Sequence, residues 1–148
     1  MAHILVAEDE RDIRELIKFT LTFAGHKITE ASNGEEAVKL AKEAMPDLIL
    51  TDVRMPKMTG YEACKAIKSE ESTKHIPVVI LSAKGQDEEI DQGRESGADD
   101  YILKPFDPAK LQSRVAEILE KMAAGLMGSA APAPAPSDTE QSSTNPNQ

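Results

Sequence analysis

The sequence predicts a doubly wound α/β fold, in which a five-stranded parallel sheet carries helices on both of its faces. Short apolar runs alternate with segments of helical periodicity five times along the chain. The fourth apolar run, residues 76–81, is continuous and rich in β-branched side chains, which is typical of a central strand buried on both faces. Successive β-then-α units need right-handed crossovers, so the strands run parallel and their carboxyl ends meet at one edge.

The strands are predicted from the apolar runs and from the turn residues that bound them. They cover residues 3–7, 27–31, 48–51, 76–81 and a short run that begins at Tyr101 and ends at Leu103. The second run is the weakest of the five, because Ile28 alternates there with polar neighbours.

Five helices are predicted from apolar periodicity and from the residues that begin and end helices. The first contains apolar residues at helical spacing between residues 13 and 21. Asn33 and Thr59 each precede a glutamate by three residues, so each is predicted to begin a helix with a capping box. A fourth helix is predicted to begin at Asp87 and end at Ser96, and its sparse apolar content makes it the least firmly packed. Asp107 is predicted to cap the last helix.

The composition favours one folded domain and argues against several classes of partner. With 148 residues and 40% hydrophobic content, the chain can bury a core of ordinary size. A net charge of −9 and 3% aromatic residues argue against binding to nucleic acid and against insertion into an anionic membrane. Cys64 is the single cysteine, which suits a reducing compartment. The sequence has neither a signal-peptide pattern nor an apolar stretch that could span a bilayer, so we expect a cytoplasmic protein.

Two regions are predicted within the chain: a folded domain over residues 1–124 and a disordered tail over residues 125–148. The tail contains a Pro-Ala tract at residues 130–136, followed by a polar stretch without large apolar residues. Such a composition cannot bury a core. Narrow, coil-like amide NMR resonances from the tail would be the signature of this disorder.

Polar side chains follow four of the predicted strands at their carboxyl ends. Glu8 and Asp9 follow the first strand, Asp52 the third, Ser82 the fourth and Lys104 the fifth. Doubly wound sheets bind ligands at this edge. Three carboxylates in one crevice repel one another, and a hard divalent cation such as Mg²⁺ would relieve that repulsion. The metal, the hydroxyl and the lysine would then share the charge of a phosphoryl group on Asp52, an arrangement suited to phosphoryl transfer.

At these residues the chain resembles the receiver domain of bacterial two-component response regulators, especially the single-domain regulators of the chemotaxis type. The resemblance covers residues 2–123, and five motifs occur in order at the family's spacing. They are Glu8-Asp9, Asp52-x-x-Met55-Pro56-x-Met58-x-Gly60, Ser82-Ala83, Gly97-Ala98-Asp99-Asp100-Tyr101 and Lys104-Pro105-Phe106. One motif alone would be weak, but the ordered set is specific. The resemblance implies a flavodoxin-like sheet of order 2-1-3-4-5 with five helices.

The resemblance also implies which residues bind a metal and accept the phosphoryl group. Asp52 would accept a phosphoryl group from a sensor histidine kinase or a phosphotransfer protein. Asp9, Asp52 and the backbone carbonyl of Arg54 would bind Mg²⁺, with Mn²⁺ as an alternative. Glu8 would reach the metal through water, because it stands where many members of the family have aspartate.

The remaining implied residues concern the response to phosphorylation. Ser82 and Lys104 would contact the phosphoryl group, and Ser82 and Tyr101 would form the switch. The protein would be a signalling switch rather than a turnover enzyme, able to phosphorylate itself from small donors and to dephosphorylate itself. Since the sequence contains no second folded domain, we expect its output to pass to a partner protein. That partner would bind the face made by the segment from Asp87 to Ser96, the strand from Tyr101 to Leu103 and the last helix.

Two alternative functions stay open on the sequence alone. One is a phosphohydrolase with an aspartate nucleophile, but such enzymes carry a second aspartate two residues later, where this chain has Arg54. The other is a protein-binding module that works without phosphorylation, against which the intact Asp9, Asp52 and Lys104 argue. Individual residues also have plainer interpretations: Asp9 as part of an acidic helix start, and Tyr101 as an ordinary core residue.

Overall fold

Parallel strands form one sheet in this structure, a computed structural model that describes residues 2–83, 97–104 and 107–125, the side chains of Ser82 and Ala83 excepted. The strand order is β2-β1-β3-β4-β5. The strands are β1 His3–Ala7, β2 Lys27–Ala31, β3 Leu48–Asp52, β4 Val78–Ala83 and β5 Asp100–Lys104. Every adjacent pair is parallel. The predicted fold class and strand order are therefore confirmed.

Within the described residues, helices precede or follow these strands as predicted. They are α1 Arg11–Phe23, α2 Gly34–Ala44, α3 Gly60–Ser69 and α4 Pro108–Ala123. The helix predicted to begin at Asp87 and end at Ser96 lies outside the described residues, as does the predicted tail beyond residue 125. No helix among the described residues combines the length and apolar character needed to cross a membrane.

The strand boundaries differ from the predicted ones in a way that matters for the site. β3 continues one residue further and ends on Asp52, while β5 ends on Lys104. β4 begins after Pro77, which has no N–H to donate to the ladder, and continues through Ser82 to Ala83. Three of the predicted site residues therefore belong to the sheet itself, whose backbone ladder holds them more firmly than a loop would.

Helix starts show which capping predictions were correct. At α3, the Thr59 hydroxyl accepts from the Glu62 N–H, and the Glu62 carboxylate accepts from the Thr59 N–H, which completes the predicted box. At α2, the Asn33 side chain accepts from the Glu36 N–H, but the Glu36 carboxylate accepts from the N–H and hydroxyl of Ser32. The sequence predicted that the Glu36 carboxylate would accept from the Asn33 N–H. That prediction is wrong, because the donor is Ser32, one residue earlier. Asp107 caps α4 by accepting from the N–H of Lys110.

Two apolar clusters pack against opposite faces of the sheet. One joins β-strand residues such as Ile49 and Ile80 to α2 and α3, and it includes the buried Cys64. The other joins residues such as Leu50 to α1 and α4. Burying a leucine or isoleucine fully stabilises the fold by roughly 1.5–3 kcal/mol. Since the central strands are buried on both faces, their carboxyl ends form a rigid edge.

Candidate functional site

Four strands bring the predicted site residues to one edge of the sheet. Ala7, the last residue of β1, pairs with Thr51 of β3. Glu8 therefore follows β1 directly beside Asp52, the last residue of β3. The N–H of Glu8 donates to the carbonyl of Ala31 at 3.0 Å, which extends the pairing of β1 with β2 by one bond and holds Glu8 in place.

Three carboxylates meet at this edge. Glu8, Asp9 and Asp52 each offer one oxygen, and these oxygens all lie within 4.8 Å of one another. Glu8 is buried, Asp52 is half-buried and Asp9 is exposed, so the cluster meets solvent at Asp9. Hard divalent cations such as Mg²⁺ prefer carboxylate oxygens and retain several waters, and this donor set fits such an ion.

Lys104 reaches across the sheet edge to the same cluster. Its ammonium lies 2.8 Å from Oδ1 of Asp52 and 3.4 Å from Oε1 of Glu8. Burial opposes the charged form of this lysine, but the hydrogen bond and charge of Asp52, together with Glu8, outweigh that effect and raise the pKa of Lys104. The site therefore holds a permanent cation in direct contact with the carboxylate at the end of β3.

Glu8 is the most deeply buried group of the cluster, with 0% of its surface exposed. Burial raises the pKa of Glu8 to about 7, and the neighbouring charge of Asp52 adds to the rise. The Glu10 N–H donates to Oε2 of Glu8 at 3.2 Å and favours the ionised form, as does Lys104, but neither cancels the effect of burial. A second cation near this charge would therefore favour ionisation of Glu8.

The loop between β3 and α3 is held close to Asp52 by its backbone. The N–H of Gly60 donates to the carbonyl of Val53 at 2.8 Å. A Cβ at position 60 would collide with the carbonyl oxygen of Asp52. Lys57 takes a left-handed φ of 70°, and the next N–H, that of Met58, donates to the carbonyl of Pro56 at 2.7 Å. Only a glycine at position 60 lets the loop turn this tightly behind the carboxylate.

For the remaining predicted site residues, the structure gives the position in the fold. Ser82 pairs in the β4–β5 ladder with Leu103, so its backbone lies beside the end of β5. Arg54 is exposed just after the end of β3. Tyr101 is half-buried and packs against the cluster under α2 and α3. Its plainer interpretation as a core residue and its predicted role in a switch are both compatible with this position.

Two contributions were missed by reasoning from the sequence. Arg14 donates to the backbone carbonyl of Glu8 at 2.8 Å and to the Glu30 carboxylate at 3.2 Å, which fixes the start of the acidic loop. Nothing in the sequence distinguishes Arg14 from the other cations of α1. The close approach of Gly60 had a signal, since a glycine eight residues after Asp52 belongs to the motif that carried the family resemblance.

Residues 4–116 match the family described as the response regulator receiver domain. Among curated proteins, the phosphate regulon transcriptional regulatory protein PhoB of Escherichia coli is 43% identical over 119 residues, which cover 80% of this chain and 52% of that protein. The chain spans about half the length of the curated relatives it matches, for example 47% and 53% of two of them.

Solved structures show the same fold over most of the chain. The chemotaxis response regulator CheY4 of Vibrio cholerae superposes with a TM-score of 0.76 at 34% identity, covering 80% of this chain and 98% of that one. The receiver domain of the sensor histidine kinase PA1611 of Pseudomonas aeruginosa gives a TM-score of 0.73 at 30% identity, covering 78% and 95%. That structure contains a magnesium ion coordinated in its active site cleft.

The buried Glu8 leads to a prediction about stability and pH in metal-free protein. Its pKa rises from 4.5 to about 7 on folding, so the folded state holds the proton more tightly. Stability contributed by the protonated carboxyl is present at low pH and is lost as the pH rises from 4.5 to about 7. Relative to Glu8→Gln, the wild type should lose free energy of unfolding on the order of 1–3 kcal/mol across this range.

Urea unfolding at several pH values in the presence of a chelator would measure this difference. Glu15→Gln is a matched control, because the Glu15 side chain is 57% exposed and should leave the pH dependence of the wild type unchanged. Parallel pH curves for the wild type and Glu8→Gln would contradict the prediction.

Proposed function

This chain belongs to the response regulator receiver domain family, whose members are phosphorylation-activated signalling switches, and on that premise we propose that Asp52 is its phosphoacceptor. The phosphoryl group would come from a sensor histidine kinase or a phosphotransfer protein. The observation that carries the proposal is the position of Asp52. Its carboxylate ends a central strand, lies 2.8 Å from the Lys104 ammonium and belongs to a cluster with Glu8 and Asp9.

The proposed reaction is an in-line transfer to a carboxylate oxygen. An oxygen of Asp52 forms a bond to phosphorus while the bond from phosphorus to the donor histidine nitrogen breaks, and the freed imidazole takes up a proton. Such transfers depend mainly on positioning and on stabilising charge on the phosphoryl oxygens. Lys104 is held beside Asp52 and supplies one positive charge at that point. Ser82, at the end of the neighbouring strand, is proposed as a further contact of the phosphoryl group.

We further propose that the cluster binds Mg²⁺, with Mn²⁺ as an alternative. Asp9, Asp52 and the Arg54 carbonyl would be direct ligands, and Glu8 would contact the ion through water. The oxygen donors support this assignment, as does the magnesium-bound receiver domain of PA1611. When bound, the metal supplies positive charge that neutralises the carboxylates and the transferred phosphoryl group.

The arrangement favours a switch over a phosphohydrolase. A hydrolase of the aspartate-nucleophile type needs an acid two residues after the nucleophile, and this chain has the exposed cation Arg54 there. The module that binds partners without phosphorylation is less favoured, because a buried glutamate and a half-buried aspartate beside one lysine are costly to maintain without a functional reason. The lone cysteine, Cys64, is buried, and we propose the cytoplasm as the compartment.

The proposed switch links Asp52 to the strand next to β4. A phosphoryl group adds about −1.5 to −2 charges and three acceptor oxygens. Ser82 would move toward it and leave space for Tyr101, which lies on β5 opposite Ile80. The face changed by this movement would comprise β5, α4 and the segment from Asp87 to Ser96, and a downstream protein would bind there. The last of these lies outside the described residues.

Phosphorylation of Asp52 can be tested with acetyl phosphate. The wild type should gain the mass of one phosphoryl group only when a divalent cation is present, and Asp52→Asn should gain none. Asp47→Asn is a useful control, because Asp47 lies at the opposite edge of the sheet and its carboxylate accepts from the His3 N–H. A mass shift that persists in Asp52→Asn would exclude Asp52 as the acceptor.

Metal binding yields a separate prediction for Asp9. Asp9→Asn should weaken Mg²⁺ binding by roughly tenfold, as expected when a charged ligand is lost, and should stabilise the metal-free protein by relieving repulsion among carboxylates. Titration calorimetry and the rise of the melting temperature with Mg²⁺ would measure both effects. Asp12→Asn, in the first turn of α1, serves as the control. Equal Mg²⁺ affinities for the wild type and Asp9→Asn would remove Asp9 from the site.

Amide shift mapping with beryllofluoride and Mg²⁺ tests the proposed switch. Beryllofluoride mimics a phosphoryl group on aspartate, so shifts are expected at Asp52 and also at Tyr101 and along α4. Asp52→Asn should show none of them. Shifts confined to the carboxylate cluster would show that the signal does not travel through β5.

A further inference from the structure

We propose that Lys68 and Arg114 are positioning residues that set the register of β5 and thereby place Lys104 against Asp52. The inference rests on the proposed role of Lys104 in binding the phosphoryl group. It concerns two ion pairs at the start of β5, the end of the strand far from the carboxylate cluster. Asp99 and Asp100 supply the anionic partners.

The register of β5 needs support beyond its own sequence. Among the strands that the structure describes, β5 lies at the edge of the sheet and pairs with β4 alone. Its middle residues, Tyr101, Ile102 and Leu103, are all apolar, so a slip by one residue would still put apolar side chains on both faces. Leu103 is 48% exposed, which shows that the apolar pattern and burial do not coincide on this strand. Since a one-residue slip moves every side chain to the other face, it would turn Lys104 away from Asp52.

Lys68 holds the residue before β5 from the side of α3. Its ammonium lies 2.7 Å from Oδ2 of Asp99 and donates to the carbonyls of Ile76 at 2.8 Å and Lys74 at 3.3 Å. The Lys68 and Asp99 side chains are only 13% and 18% exposed. Asp99 also pairs with Val78 at the start of β4: its N–H donates to the Val78 carbonyl at 2.8 Å, and its carboxylate accepts from the Val78 N–H at 2.9 Å.

Arg114 holds the first residue of β5 from the side of α4. One guanidinium nitrogen lies 2.8 Å from Oδ1 of Asp100 and donates to the carbonyl of Tyr101 at 2.9 Å. Oδ1 of Asp100 also accepts from the Tyr101 N–H at 2.8 Å. The guanidinium is oriented by Glu117, which accepts from its other nitrogen at 2.8 Å. Both a side chain and a backbone carbonyl of the strand are thus bound to one residue of α4.

The two pairs act from opposite faces of the sheet. α3 packs in the cluster that contains Ile67, and α4 packs in the cluster that contains Val115. Asp99 and Asp100 are consecutive, so each acid meets a cation on its own side only in the observed register. A slip by one residue would put Asp99 where Asp100 stands or Asp100 where Asp99 stands, so one of the two ion pairs would be lost and one partly buried acid would lose its cation, which is unfavourable. The charged residues therefore favour the observed register of β5, which the apolar residues leave open.

The register set at Asp100 is carried to Lys104 by the strand. Asp100 and Lys104 lie four residues apart, roughly 13 Å at the usual rise of a strand, and side chains at i, i+2 and i+4 share one face. The pairing of Ala83 with Lys104 continues the ladder that begins with Val79 and Asp100. The Lys104 ammonium reaches Asp52 because the strand enters the sheet at the correct residue.

Measuring beryllofluoride affinity and Mg²⁺ affinity side by side distinguishes the positioning role of Lys68 and Arg114 from a general effect on stability. Beryllofluoride with Mg²⁺ probes the site that Lys104 completes, whereas Mg²⁺ alone probes the carboxylates. We expect the variant carrying both Lys68→Met and Arg114→Met to bind beryllofluoride roughly tenfold more weakly, the loss expected for one charged hydrogen bond. Its Mg²⁺ affinity should not fall, since the carboxylates lie on other strands and a displaced Lys104 no longer competes with the metal for them. Cross-strand NOEs between Ile80 and Tyr101 should weaken or shift.

Four further single variants complete the test. Lys104→Met should lose beryllofluoride affinity to a similar extent. Lys42→Met is the matched control, since Lys42 of α2 forms an exposed pair at 3.6 Å with Glu70, the residue that follows α3, and it should behave as the wild type. Arg114→Lys keeps a charge opposite Asp100 and should recover most of the affinity lost in Arg114→Met.

Each contrary result has a distinct meaning. Wild-type beryllofluoride affinity in the folded double variant, with loss in Lys104→Met, would overturn the positioning role and leave the proposed function standing. Full affinity in Lys104→Met would overturn both the positioning role and the proposed contact between Lys104 and the phosphoryl group, whereas Asp52 as acceptor is tested separately by Asp52→Asn. An equal fall in Mg²⁺ and beryllofluoride affinity would show general loosening and would also overturn the positioning role. If the double variant does not fold, Arg114→Met alone, with its side chain 32% exposed, decides by the same criteria.

Discussion

Crowding of negative charge at one sheet edge is the constraint on which the rest of this structure depends. Glu8, Asp9 and Asp52 approach within 4.8 Å of one another, and Lys104 is the cation that touches two of them. Such a cluster is unfavourable unless charge is neutralised, and the raised pKa of Glu8 shows that a proton is one way to neutralise it. A divalent cation is another.

The fold meets this constraint by dividing the site among strands of different rigidity. β1 and β3 lie inside the sheet and are buried on both faces, so the acids that follow or end them are held firmly. β5 lies at the edge and is held through side-chain ion pairs as well as its single ladder. The carboxylates therefore form the fixed part of the site. The position of Lys104 depends in addition on these side-chain ion pairs.

Most of the fold followed from the sequence, as did the meeting of the carboxylates and Lys104 at one sheet edge, because apolar runs and the polar residues after them report directly on parallel strands. The boundaries were less predictable: Asp52, Ser82 and Lys104 are polar, and polarity alone does not show that the backbone ladder continues through them. The Glu36 carboxylate, at the start of α2, accepts from the N–H of Ser32 and not from that of Asn33. This local difference depends on the turn before the helix.

Contacts between distant parts of the chain were the hardest to predict. Lys68, Arg14 and Arg114 look like ordinary surface cations in the sequence, since a charged residue on a helix is usually solvated. Their partners lie 31, 16 and 14 residues away or bind them through backbone carbonyls. Periodicity carries no information about such pairings, which depend on where the crossovers place each helix end. The organisation of β5 could be seen only in the structure.

Two glycines let the starts of α2 and α3 contact the backbone of the segment from Asp52 to Met58. Gly60 begins α3 against the carbonyl of Asp52, and Gly34 begins α2 against the carbonyl of Met58, in the same loop. Both helix starts carry a partial positive charge that suits a carbonyl oxygen. The loop is thus wedged between two helices, and α2 is coupled sterically to Asp52 although it holds none of the site's charged groups. Natural variation at position 34 would consequently be constrained as tightly as variation at a residue that touches the reacting atoms, for reasons of backbone shape and not of chemistry.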